Sequence, residues 1–100
     1  MEPRKTLVIM SSSFKGLEGY RDVLTLVQAA LKVDRPRITK NLLGAWVYAR
    51  KVDFKEACTV VDIVNARKLD VTVYLDDKPI RTFSDVKAIF FGFPLEEVPE

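Results

Sequence analysis

Residues 8 to 20 read VIMSSSFKGLEGY: an apolar run, three serines, then Lys15 and Gly16 ahead of a helical pattern. Strand, small polar turn and helix is the order in which backbone amides at a helix N-terminus come to face a phosphate, and Lys15 would add a charge. Ser11, Ser12, Ser13, Lys15 and Gly16 therefore form a candidate phosphate turn for a small ligand. The glycine spacing of a P-loop or dinucleotide fingerprint is absent, and serines before a helix act first as N-caps. Capping is the expectation and phosphate binding the weaker alternative.

Catalysis has little to work with. The sequence holds no histidine and one cysteine, Cys58, so a serine or cysteine nucleophile would need Lys, Asp or Glu as its base. Cys58 falls on an apolar helical face, where burial raises a thiol's pKa. Asp76 and Asp77 are adjacent and suit a turn better than a metal. No catalytic residue, metal site or cofactor is expected.

Charge is uneven although the net is only +2. Residues 32–68 carry nine basic and four acidic groups, and residues 69–100 three basic and seven acidic. Arg50 and Lys51, then Arg67 and Lys68, stand at the ends of expected helices, where cations complement the dipole. Arg35, Arg37 and Lys40 stand near an expected helix start, where a bound anion would be favoured. These seven residues are the alternative nucleic-acid or anion contact. Three helices followed by a hairpin would permit a winged-helix layout, with residues 53–67 as recognition helix and 69–83 as wing. Against this, Val60, Val61, Ile63 and Val64 occupy the face that would read bases.

Phe83, Phe90, Phe91 and Phe93 crowd a short stretch before the acidic C-terminus. That is more aromatic surface than one short helix buries, and a surplus marks an interface, most often between copies of one chain. The preferred expectation is a non-enzymatic binding or regulatory module, homo-oligomeric, with itself and a second protein as partners.

One hundred residues, 48% hydrophobic and 30% charged, suit a single domain spanning 1–100 with a flexible acidic tail from residue 95. The N-terminus lacks a signal peptide's apolar stretch, and no run is long enough to span a bilayer, so a cytoplasmic protein without membrane contact is expected. The scarcity of amides beside many charges is the direction in which hyperthermophile proteins lean.

The pattern places these residues as follows. TLVIM (6–10) reads as a central strand buried on both faces. Leu17, Tyr20, Leu24, Val27 and Leu31 mark a helix, and Pro36 a break. Ile38, Leu42, Leu43, Trp46 and Val47 follow helical spacing again. Asp53 and Glu56 make a capping box for a third helix, although the β-branched residues in 57–65 leave strand open. Leu69, Val71, Val73 and Leu75 alternate as a strand, Asp76 to Pro79 turn, and Ile80 to Phe83 return as an edge. Ser84 would cap a short last helix ended by Gly92 and Pro94. The fold class is α+β, or small α/β: two layers, about three strands, three helices and a short C-terminal helix.

Overall fold

The computed structural model describes residues 4–12 and 16–92. Its strands are β1 (Lys5–Ser11), β2 (Thr39–Lys40), β3 (Trp46–Val52), β4 (Val71–Leu75) and β5 (Lys78–Ile80). Its helices are α1 (Leu17–Leu26), which runs on as a π-helical segment Val27–Leu31, α2 (Phe54–Arg67) and α3 (Phe83–Phe91). The strands form one antiparallel sheet ordered β2-β3-β1-β4-β5, so TLVIM is a central strand as its composition implies. β1 and β2 run parallel with β3 between them, a split βαβ arrangement of the ferredoxin-like kind. The class is α+β, with five strands where about three were expected.

The expected helix from Ile38 is not formed, and β2, a turn and β3 replace it. The Asn41 side chain builds the turn: its Oδ1 accepts hydrogen bonds from the Leu43 N–H at 2.9 Å and the Ala45 N–H at 3.0 Å. Gly44 follows at φ +87°, a conformation that glycine adopts without a Cβ penalty. The run WVYARKV is then rich in aromatic and β-branched residues, which suit a pleated strand. Leu42 and Leu43, which carried much of the helical spacing, stand exposed at the tip.

Elsewhere local chemistry and fold agree. In α2 the capping box is complete: Glu56 N–H donates to Asp53 Oδ1 at 2.8 Å and Asp53 N–H to Glu56 Oε1 at 3.1 Å. That cap, together with burial of Ala57, Val60 and Val61, outweighs the β-branched run, and 57–65 is helix. Asp76 and Asp77 turn between β4 and β5 with φ +50° and +66°, the double left-handed geometry of a tight hairpin. The return strand is Lys78–Ile80 rather than Ile80–Phe83. Thr82, not Ser84, caps α3 through a box with Asp85. Gly92 closes that helix at φ +73°.

The helices pack on one face of the sheet. Leu7, Ile9, Val52, Val73, Leu75 and Ile80 from the strands meet Val23, Leu26, Val27, Val60 and Val86 from the helices in one core. Leu26 stands nine residues, two and a half turns, from Leu17, so the two face opposite ways: Leu26 is buried while Leu17, first in the expected stripe, is exposed. With α2 laid on the sheet, residues 53–67 and 69–83 are not arranged as a winged helix.

Candidate interaction surface

Side chains alternate along a strand, so the register that buries Leu7 and Ile9 beneath the helices turns Thr6, Val8 and Met10 to the other side. Cross-strand pairing extends this second face in rows. Val8 lies beside Ala49 on β3 and Tyr74 on β4, with Pro79 beyond on β5. Met10 lies between Val47 and Thr72, with Thr39 beyond on β2. Thr6 lies beside Lys51. Among the described strand residues no helix covers this face, and Lys51 is its one formally charged side chain. Val8, Met10, Val47 and Tyr74 are shielded only in part, and Ala49 is exposed. The sequence reading of TLVIM as buried on both faces is met on one.

The aromatic cluster divides between core and surface. Phe90 is 9% exposed, whereas Phe83 and Phe91 are 49% and 52% exposed; Phe93 lies outside the described residues. Phe90 stacks edge-on against Phe54 at 5.7 Å between ring centres, and Phe91 lies tilted against Phe54 at 5.1 Å. Phe54 opens α2, so this aromatic contact joins α3 to α2 as well as offering the outer faces of Phe83 and Phe91.

The seven basic residues are distributed over several elements. Arg35 and Arg37 are exposed ahead of β2, and Lys40, on β2, lies with its Nζ 4.9 Å from the centre of the Trp46 ring. No helix starts near these three, so the dipole that was to favour an anion there is absent. Arg50 is engaged internally: its guanidinium donates to the Leu31 carbonyl at 3.2 Å and pairs with Glu56 at 3.6 Å. It thereby ties the end of the π segment to the capping box of α2. Lys51 points to the open sheet face, and Arg67 and Lys68 lie at the C-terminal end of α2. Arg50 and Lys51 thus sit on β3, not at a helix end.

The serine turn contributes differently from expectation. Ser11 is buried, and its Oγ accepts the Trp46 N–H at 2.9 Å, joining the end of β1 to the start of β3. α1 begins after Gly16 with no side-chain cap, so the capping role expected of the serines is not observed. The Gly16 carbonyl instead accepts the indole N–H of Trp46 at 2.8 Å, and the Trp46 ring meets Tyr20 edge-on. Ser12 is exposed, while Ser13 and Lys15 lie outside the described residues.

The remaining titratable groups have local explanations. Burial pushes the Cys58 thiol up, against a smaller opposing pull from Lys87. Partial burial works to raise the Asp76 carboxyl, but hydrogen bonds from the Lys5 ammonium at 3.2 Å and the Thr6 N–H at 3.3 Å, with the charges of Lys5 and Lys51, hold it below the usual carboxylate range. Among the described residues no helix is long and apolar enough to cross a membrane. Comparison of the chain with protein-family models, with curated proteins and with solved structures finds no match.

The open sheet face is the surface that sequence reasoning missed. Its signal was present in β1, where Val8 and Met10 alternate with Leu7 and Ile9, and in Val47 and Ala49 of the segment read as helix.

Proposed function

We propose that this chain is a non-enzymatic binding or regulatory module that works through protein–protein contact and associates with itself. The observation that supports this reading is the largely apolar sheet face that no described element covers. Exposed apolar patches of this extent usually mark interaction sites. The outer faces of Phe83 and Phe91 add apolar surface on α3. Light scattering of the purified protein across a range of concentrations tests it. An assembly whose mass exceeds one chain is expected, and a monomer at high micromolar concentration would overturn self-association.

Nucleic-acid contact is the second reading, and the exposed group Arg35, Arg37 and Lys40 beside β2 favours it. Binding through these cations would weaken steeply with salt, because counterion release drives such association. Fluorescence anisotropy at low salt with duplex and single-stranded probes tests it, and no binding there removes it. Phosphate-ligand binding at Ser11 to Gly16 is weaker still, because the Ser11 hydroxyl already serves the backbone of β3.

A further inference from the structure

We infer that the open sheet face is the contact between two copies of this chain, packed face to face about a two-fold axis running along β1. The inference rests on the self-association reading and names its surface.

The first reason is composition. An antiparallel sheet packed on one face commonly turns polar residues to water on the other, and β1 places Val8 and Met10 there instead. Among the described residues α1, α2 and α3 cover one side, leaving Val8, Met10, Val47 and Tyr74 short of a second layer. A second copy supplies that layer with side chains of the same kind.

The second reason is size. With strands about 4.8 Å apart and successive rows of one face about 7 Å apart, the patch spans roughly 400–500 Å² in projection. Two such faces in contact bury on the order of 1,000 Å² of accessible surface, which reaches the lower limit for a specific interface.

The third reason is the arrangement of bulk and charge. An axis along β1 lays the row Ala49, Val8, Tyr74 over its own reverse, so that Val8 meets Val8 and the Tyr74 ring of each copy lies over the small Ala49 of the other. Sheets packed this way keep their strands nearly aligned, about 10 Å apart. Lys51 lies beside Thr6 at one end of the patch, not at its centre, so its long side chain reaches water at the rim. An apolar centre with a polar rim is the usual anatomy of a protein interface. Nucleic acid would instead require several cations on this face, and there is one.

Sedimentation velocity on the full chain and three variants tests the inference. Ala49 is exposed, so Ala49→Glu leaves the monomer core intact, which circular dichroism and thermal melts verify. In a dimer it places an unpaired carboxylate beneath Tyr74. We expect the wild type to be a dimer, and Ala49→Glu and Val8→Glu to be folded monomers with a dissociation constant raised about a hundred-fold or more. Phe91→Glu should remain dimeric. A monomeric wild type would overturn both this inference and the self-association reading. A dimer that survives Ala49→Glu but falls apart with Phe91→Glu would overturn the sheet-face contact alone, assigning assembly to α3.

Discussion

The two faces of one sheet set each other's meaning. On the covered face, Leu7, Ile9, Val52 and Leu75 are fully enclosed by helices, and the same strands carry Val8, Met10, Val47 and Ala49 on the reverse. The residue types barely differ across β1, yet one set is core and the other faces solvent in the single chain. Strand alternation decides which residues share a face, but the number of layers in the chain decides whether a face is covered. Apolar composition on both sides of a strand thus measures the layers a sheet requires, and the described residues supply one fewer.

The sharpest way to break the comparison is to truncate both faces of β1 and measure unfolding by urea. Leu7→Ala removes a fully buried side chain and should cost about 2–5 kcal/mol, from lost transfer energy and the cavity left behind. Val8→Ala, measured in the monomeric Ala49→Glu background, should cost about 1 kcal/mol or less, because its neighbours leave it partly wet. Equal costs would mean that the reverse face is already as well packed as the core. In the wild type the unfolding midpoint should also rise with protein concentration, and in Ala49→Glu it should not, since association stabilises only the folded chain.

How much of this could be read beforehand depends on where the determinants lie. Asp53 with Glu56, the two aspartates of the β4–β5 turn and the αL-prone Gly92 act within a few residues, and each did what its type and spacing implied. The stretch 38–52 misled because Leu42, Leu43, Trp46 and Val47 fit a helical spacing. The deciding groups were Asn41 and Gly44, whose turn geometry interrupts that period. The serines misled because the partner of Ser11 is Trp46, 35 residues away, a contact no local pattern encodes. The candidate basic group was partly dissolved for the same reason: Arg50 is spoken for by Leu31 and Glu56, which only the fold brings to it. The open face was written in the alternation of β1, but recognising it required knowing on which side every helix packs.

A smaller effect sharpens the account of the covered face. The first turn of α2, which packs on that face, is satisfied by its cap: Asp53 both accepts from Glu56 N–H and donates its own N–H to the Glu56 carboxylate, which also pairs with Arg50. Asp53→Ala should destabilise the monomer by about 1 kcal/mol, within the 0.5–2 range for lost N-caps. Its sedimentation as a dimer should be unchanged, since the cap lies on the helical layer and not on the open face. A variant that lost stability and assembly together would mean the two faces are coupled.

The smallest effect lies at the rim of the open face, where Asp76 bonds to Lys5 and to the Thr6 N–H, near Lys51. Its folded pKa is depressed, so its contribution is fully present above the unfolded value of about 3.9 and is lost as pH falls through the lower folded value. The side chain is 43% exposed, and solvent screening limits that contribution to about a few tenths of a kcal/mol. Asp76→Asn separates two terms, because asparagine suits the left-handed turn conformation at least as well as aspartate but carries no charge. The turn term is independent of pH, whereas the charge term follows the titration. Urea midpoints of both proteins measured from neutral pH down to pH about 2 should therefore show the wild type gaining relative to Asp76→Asn only above the acid range. The difference should shrink steadily as the carboxylate protonates, and more salt should shrink it too. A difference that stays constant across that range would assign Asp76 to turn geometry alone and leave Lys51 without an electrostatic partner at the rim.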